Sequence, residues 1–423
     1  MSEKRLPLGH GELLELAGQL PTPFYLYDEA AIVDNARAFK RLFSWAPGFT
    51  NYFAVKACPN PTIVKLLGEE GFVSVFAVVD SATGKVLAGP QILARGFAED
   101  DNAPPADEFR AAYEMGAIIN LDDITHIDAL EEAIGTFPKT ICFRYNPGPD
   151  RTGNAIIGNP VEAKYGVTSD QIVDCYKIAK AKGVERFGLH TMVASNELDG
   201  SYIVETARML FNLAVRIKEE AGVRIDFIDM GGGIGIPYKP GDKPMDLSQV
   251  SAGMERLYST IIKANGLDPL EIYFECGRVI TGPYGYLVSR VLHVTSKYKE
   301  YVGLDASMAN LMRPALYGSY HHITVLGKER EKADHMYDVT GSLCENNDKF
   351  AIDRMLPKIE KGDVVVIHDS GAHGHAMGFN YNAKLRSSEY LLRRDGSVDM
   401  IRRAQTYDDY VATLRFEGAP VVV

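Results

Sequence analysis

Residues 224–241 read RIDFIDMGGGIGIPYKPG. The first seven, rich in isoleucine and phenylalanine, have the character of a short buried strand. Three consecutive glycines follow, Gly231, Gly232 and Gly233. Glycines after a strand let backbone amides approach a phosphate closely. In a dinucleotide-binding fold such a loop opens a helix at once. Here the continuation is Ile-Gly-Ile-Pro-Tyr-Lys-Pro, with two prolines and no helical rhythm. A phosphate cradle or a plain tight turn fits this stretch, and a Rossmann site does not.

The same strand-then-turn phrase recurs along the chain. PFYLYD (23–28), NYFAV (51–55), AIINLD (117–122), TICFRYNP (140–147) and RFGLHTMV (186–193) are β-branched or aromatic runs. Between them lie amphipathic stretches such as AAIVDNARAFKRLFSWA (30–46) and SYIVETARMLFNLAVRIKEEAG (201–222). Alternation over about 250 residues predicts parallel β/α units, either a (β/α)8 barrel or a doubly wound sheet. After residue 271 the rhythm turns β-rich: EIYFECGRVI (271–280), the long run 284–306 and DVVVIHD (363–369) have strand character. The expected architecture is a barrel over 30–275 with a β-rich domain built from 1–29 and 276–423.

Composition bounds the function. The 423 residues are 46% apolar and 24% charged, the balance of a globular protein rather than a disordered or collagen-like chain. A net charge of −11 repels phosphate backbones, so no nucleic-acid partner is expected. Five scattered cysteines without a CxxC pair argue against structural zinc and a disulfide framework, and no metal is expected. The N-terminus lacks an apolar signal core, and no stretch approaches 18 apolar residues. A reducing cytoplasm, without membrane insertion, is the expected location.

Several clusters carry chemistry. Lys56 ends the run NYFAVK, before Ala-Cys-Pro-Asn-Pro. A lysine at the C-terminal end of a barrel strand points into the pocket, where a desolvated amine can form a Schiff base; most lysines at loops are merely solvated. Glu275 and Arg278 follow another strand-like run; the carboxylate can accept from a protonated ring nitrogen and the guanidinium can clamp a carboxylate, unless the two form a simple surface ion pair. Arg313 to Tyr317, Cys344-Glu345 and the stretch Gly371 to Gly378 with His373 each mix ionisable groups with turn residues. A partly desolvated cysteine can donate a proton, although most Cys-Glu pairs are structural. His190, at the end of RFGLH, can stack on a flat ligand or simply fill the core.

Taken together, these pieces resemble the fold-type III pyridoxal-phosphate decarboxylases, within them the bacterial diaminopimelate decarboxylases. The resemblance rests on TPFYLYD (22–28), NYFAVKACPNP (51–61), GLHTMVASN (188–196), DMGGGIGIPY (229–238), FECGR (274–278), RPALYGSYHH (313–322), GSLCENNDKF (341–350) and SGAHGHAMGFNYN (370–382) followed by LRSSEYLL (385–392). They stand in the family's order along nearly the whole chain. The resemblance implies an alanine-racemase-like (β/α)8 barrel with a C-terminal β-rich domain, pyridoxal 5′-phosphate as cofactor, and a homodimer with shared active sites. It implies that Lys56 holds the cofactor covalently and His190 stacks on its ring. Ser195, Gly231, Gly232 and Gly233, with Gly277 and the rest of the 275–278 segment, would bind the phosphate, and Glu275 would pair with the ring nitrogen. Arg278, Arg313 and Tyr317 would grip the substrate's far end, Glu345 its distal ammonium, and Cys344 would protonate Cα. His373 and Tyr381 would touch cofactor or substrate. The implied reaction is decarboxylation of meso-diaminopimelate to L-lysine; two arginines and a glutamate suit a far end with both charges, which ornithine lacks.

Three departures stand out. Cys276 replaces the family's proline in Glu-Pro-Gly-Arg, and His373 replaces a tyrosine. The stretch 71–102 lacks the expected strand and helix marks, so it is either a divergent third β/α unit or the product of a local frameshift. Rival functions on this scaffold are a decarboxylase of carboxynorspermidine, ornithine or lysine, a racemase, and a non-catalytic pyridoxal-phosphate-binding protein. A racemase needs a second base opposite Lys56, and the cysteine–glutamate loop favours decarboxylation instead.

Overall fold

A computed structural model of the chain describes residues 4–75, 97–98, 106–153 and 158–414. Two compact units result: Ile32–Pro237 with Lys243–Ile280, and Met1–Ala31 with Tyr238–Asp242 and Thr281–Val423. The first strand, β1 (Phe24–Asp28), lies in the second unit. The first unit contains β2 (Thr50–Ala54), β3 (Val73–Val75), β4 (Phe97–Ala98), β5 (Ile118–Leu121), β6 (Thr140–Arg144), β7 (Arg186–His190), β8 (Phe227–Asp229) and β9 (Glu271–Phe274). All their ladders are parallel, in the order β3-β2-β9-β8-β7-β6-β5-β4. β3 and β4, at the two ends of this path, approach one another, which gives the cyclic order of a (β/α)8 barrel.

Apolar content on both faces makes these strands. β6 and β7 are buried along most of their length, as parallel strands covered on both sides must be. Tyr52, Cys142, Phe227 and Tyr273 form one buried cluster, with the Phe227 and Tyr273 rings stacked at 5.1 Å. Gly188 makes that ring possible: a Cβ there would lie 2.0 Å from Phe227. The outer helices are signposted locally. The helix Gly200–Ala221 starts where the Asp199 side chain accepts from the Ser201 amide and stops at left-handed Gly222. Its buried Ile203, Ala207, Leu210, Ala214 and Ile217 recur at three- and four-residue spacing, the large ones worth about 2 kcal/mol each.

The second unit is β-rich. Its further strands are β10 (Gly285–Ser296), β11 (Glu300–Leu304), β12 (Ile323–Val325), β13 (His335–Thr340), β14 (Lys349–Leu356), β15 (Val364–Ile367), β16 (Ser388–Leu392) and β17 (Val398–Arg402). The path is β14-β13-β11-β10-β1-β16-β17, with β15 joining β10 to β12. β1 is parallel to β16 and antiparallel to β10. Leu13 and Ala17 of the helix His10–Gln19 pack on Phe24, Leu26, Val288 and Val366 in this unit's core.

PFYLYD, within the 1–29 stretch expected in the β-rich domain, is β1 of that sheet, although its pattern matches the barrel runs. One detail differs from the sequence reading. Of EIYFECGRVI, only Glu271–Phe274 is strand, and it is the last barrel strand; Arg278–Thr281 is a helical turn. Of the stretch 71–102, all but 71–75 and 97–98 lies outside the described residues.

Candidate active site

Within the first unit, the C-terminal ends of the strands converge. β2 runs into a 3-10 turn, Val55–Ala57, whose flanking Val55 and Ala57 are buried while Lys56 is exposed. β7 ends on His190, β8 on Asp229, and β9 leads directly to Glu275. His190 is 1% and Glu275 4% exposed, and His190 Nε2 lies 3.7 Å from Glu275 Oε2. One ligand atom from each of His190, Asp229 and Glu275 fits within 4.8 Å of the others. Burial, reinforced by Arg144 and Lys56, holds the His190 imidazole well below its usual range, so the ring is neutral. Glu275 and Arg278 are both buried, which excludes the exposed ion pair as their explanation.

The glycine run folds back on the segment 191–197. A Cβ would meet the Thr191 carbonyl oxygen at 2.4 Å from Gly231, the Glu275 carbonyl oxygen at 2.8 Å from Gly232 and the Ala194 carbonyl oxygen at 2.2 Å from Gly233. Gly231 and Gly233 also adopt φ of +65° and +89°, where other residues are strained. The wall is therefore backbone. The Gly232 amide donates to the Met192 thioether at 3.3 Å, a weak acceptor, and Ser195 Oγ accepts from Arg278 Nη2 at 3.3 Å. Gly277 presses on the lysine turn, since a Cβ there would lie 2.8 Å from Ala57 Cβ.

These features match a flat, ring-bearing aldehyde phosphate. A backbone cradle with a poorly satisfied amide suits a phosphate, and an exposed amine at the end of β2, two strands away in the barrel order, suits an aldehyde. A buried carboxylate beside a neutral imidazole, whose Nε2 makes no hydrogen bond, suits a protonated ring nitrogen and its ring face. The residues fit pyridoxal phosphate.

Comparisons with known proteins decide the family. Residues 24–371 match the model described as "Pyridoxal-dependent decarboxylase, C-terminal sheet domain". The chain belongs to this family. Diaminopimelate decarboxylase of Methanothermobacter thermautotrophicus is 34% identical over 98% of this chain and 96% of its own length. Protein TabA of Pseudomonas amygdali pv. tabaci is 39% identical, over 96% and 94%. The crystal structure of diaminopimelate decarboxylase from M. jannaschii in co-complex with L-lysine superposes with a TM-score of 0.83 at 28% identity, covering 95% of this chain and 93% of that one. The protein is thus a pyridoxal-phosphate-dependent decarboxylase with an alanine-racemase-like fold.

The decarboxylase's second unit holds the remaining candidates in two groups. Arg313, 2% exposed, heads a short helix, donates to Ser319 Oγ at 3.2 Å and lies 5.5 Å from the Tyr238 ring and 5.8 Å from the Tyr317 ring. The second group is the loop 341–348. Asp348, buried at 2%, accepts from the Leu343 and Met308 amides and so folds the loop. On it, Glu345 Oε1 accepts from the Tyr381 hydroxyl at 2.8 Å, which raises the tyrosine's pKa, and Asn382 Nδ2 lies 3.1 Å from Cys344 Sγ. Cys344, Tyr317 and Tyr381 are exposed. His373 is half-buried and left-handed at φ +54°, a conformation costing about 1 kcal/mol for a residue with a Cβ.

Four polar residues escaped the sequence reading. Asn51, 1% exposed, pairs with Cys276 twice: Nδ2 donates to its carbonyl at 3.1 Å and Oδ1 accepts from its amide at 3.0 Å. Proline at 276 would have no amide to give, so this clamp replaces the rigidity of a proline ring. Asn120 Nδ2 lies 2.6 Å from His190 Nδ1. Arg144 and buried Asp122 pair at 3.6 Å; burial raises the carboxyl's pKa and Arg144 opposes the rise. Asn51, Asn120 and Arg144 lie on strands otherwise largely apolar and Asp122 directly follows one, so sequence offers only a polar residue in or beside an apolar run as the signal.

Proposed function

We propose that this decarboxylase converts meso-diaminopimelate to L-lysine and carbon dioxide, acting as a homodimer in a reducing cytoplasm. The observation that carries the substrate reading is the charge pattern of the β-rich unit. A buried guanidinium, Arg313, stands between two tyrosine rings, and a carboxylate, Glu345, is held in place by Tyr381. Together they offer a cation for a distal carboxylate and an anion for a distal ammonium, the two groups of an amino acid's far end. The names of the relatives at 34% identity and of the lysine-bound structure support the same reading.

Bound pyridoxal phosphate supplies an electron sink for the pair released from the Cα–carboxylate bond. Lys56 Nζ would hold the cofactor at its aldehyde. Glu275 accepts the ring N–H and keeps that nitrogen protonated. His190, neutral and desolvated, covers one ring face. The backbone of 231–233, Gly277 and Ser195 hold the phosphate, with Arg278 bracing Ser195 and reaching toward the substrate. Cys344 delivers the proton to Cα; its loop enters the site of the partner subunit in this reading. His373 and Tyr381 orient cofactor and substrate. Among the described residues no helix is long and apolar enough to cross a membrane.

The 39% identity to Protein TabA favours a second reading, a decarboxylase of a related amino acid on the same frame. Carbon dioxide release from meso-diaminopimelate, lysine, ornithine and carboxynorspermidine, with product identification, separates the two. Lysine from meso-diaminopimelate is expected, together with loss of the bound cofactor's absorbance band in Lys56→Ala. Brisk release from another amino acid and none from meso-diaminopimelate overturns the substrate and leaves the chemistry standing.

A further inference from the structure

His190 has an amide on one ring edge and a carboxylate on the other. Asn120, the third residue of β5 and 4% exposed, places Nδ2 2.6 Å from Nδ1. On the opposite edge Nε2 makes no hydrogen bond and lies 3.7 Å from Glu275 Oε2. One ligand atom of Asp229 lies within 4.8 Å of one from His190 and one from Glu275. Asp229 in turn accepts from the Gly231 amide at 2.8 Å, so its carboxylate is fixed to the start of the glycine turn.

A neutral imidazole carries one N–H, and its position follows from these neighbours. With the proton on Nδ1, Nε2 would aim a lone pair at the Glu275 carboxylate, and the asparagine would have to turn its oxygen toward the ring. With the proton on Nε2, the N–H dipole faces that carboxylate and Nδ1 accepts from the asparagine amide. Both interactions favour the second arrangement, and in a buried site each is stronger than in water.

We propose that Asn120 is a positioning residue: by donating to Nδ1 it fixes the His190 ring and its Nε2–H tautomer, so that this N–H faces Glu275 and holds the carboxylate ionised. The role rests on the reading that His190 and Glu275 face the cofactor, and it deepens that reading. An ionised Glu275 is the form that can accept the ring N–H of the bound cofactor, so an asparagine acting through His190 helps set the cofactor's protonation.

Holoenzyme labelled with 15N-histidine tests this. The His190 resonances, assigned by their loss in His190→Gln, are expected to show a protonated Nε2 and a bare Nδ1. Asn120→Asp presents an acceptor in place of the donor. It is expected to move the proton to Nδ1 or charge the ring, and to loosen pyridoxal phosphate, followed by equilibrium dialysis, by about tenfold or more, as loss of an orienting partner does at other cofactor and metal sites. Asn120→Leu, of similar size and without a donor, is expected to give mixed tautomers and an intermediate affinity. Wild-type His190 protonated on Nδ1 overturns the proposal outright, and this result needs no variant to fold. Wild-type spectra and affinity in Asn120→Asp overturn it equally. If His190→Gln and Lys56→Ala both retain the cofactor at wild-type affinity, the site itself is misplaced; with those two impaired and the tautomer wrong, only the role of Asn120 falls.

Discussion

Removing Asn51 measures how the site survives without its proline. Asn51 makes two hydrogen bonds to Cys276 in a fully enclosed place, where no water replaces them. Asn51→Ala leaves a buried amide and a buried carbonyl unpaired, at about 1–3 kcal/mol each, so about 3 kcal/mol in all is expected. Cys276→Pro removes the amide and with it one of the two bonds. In that background Asn51→Ala strips only the bond to the carbonyl and should cost about half as much, a coupling of about 1.5 kcal/mol. The assay is the urea unfolding midpoint of all four proteins at one fixed pyridoxal phosphate concentration, because bound cofactor stabilises by mass action. Should Cys276→Pro not fold, Asn51→Asp serves instead: it keeps the acceptor for the amide and turns a carboxylate toward the carbonyl, and it should destabilise at least as much as alanine. A loss below about 0.5 kcal/mol in Asn51→Ala, the level of an ordinary surface change, or strict additivity in the cycle refutes the clamp.

Other consequences follow from the same geometry. Gly233→Ala should cost about 2 kcal/mol or more and shed cofactor, because φ is +89° and its Cβ would sit 2.2 Å from the Ala194 carbonyl oxygen, while Gly241→Ala, with open space around it, should stay within about 0.5 kcal/mol; dialysis and urea unfolding report both. Glu345→Gln should raise KM for a substrate with a distal ammonium by about tenfold or more with a smaller change in kcat, the value of one hydrogen bond to a charged group; equal losses in kcat and kcat/KM would contradict a binding role. Stability should fall on acidification. Burial holds His368 at about 3, His375 and His322 at about 4 and His190 well below its usual range, so below about pH 6.5 the unfolded chain binds protons that the folded one refuses, and each costs about 1.4 kcal/mol by pH 5.5. Asp369, raised to about 6 by burial, works in the opposite sense and returns about 1 kcal/mol over the same span, leaving a net loss of about 4.5 kcal/mol between pH 7.5 and 5.5. His368→Gln should remove about a quarter of the histidine part, and an unchanged pH slope in that variant would contradict the assignment.

The barrel was legible because parallel strands buried on both faces must be apolar throughout. TICFR and RFGLH carry that demand in their letters, and the helices between them carry caps and glycine stops such as Asp199 and Gly222. The partner of a strand is not written there. Phe24–Asp28 has the pattern of a barrel strand; its position ahead of the barrel assigned it to the β-rich domain, and its partners there, Ser388–Leu392 and Gly285–Ser296, are given only by its ladders. The five-residue segment Tyr238–Asp242, which leaves the barrel's chain to join the β-rich unit, gave no warning either. It brings Tyr238 beside Arg313, some seventy-five residues away, and no local pattern encodes such an encounter.

The site divides along the same line. Residues that punctuate a strand end were visible, since Lys56, His190, Gly231–Gly233 and Glu275 each stand where an apolar run breaks. Residues that act sideways between strands were not. Asn51 lies on β2 and serves Cys276 after β9; Asn120 lies on β5 and serves His190 on β7. In an apolar strand such an asparagine is an anomaly whose cost of about 1–3 kcal/mol, if unpaired, demands a buried partner. The demand can be read from sequence, and the identity of the partner cannot, because the strand order 2-9 and the interval from 5 to 7 belong to the closed sheet. The Cys276 departure shows the consequence. Taken by itself it looks like a loosened turn, yet the amide that cysteine restores is the group Asn51 holds. A substitution at the edge of a site is therefore to be judged together with the neighbouring strand's polar residue, and the double-mutant cycle at 51 and 276 is the measurement in which the two readings differ.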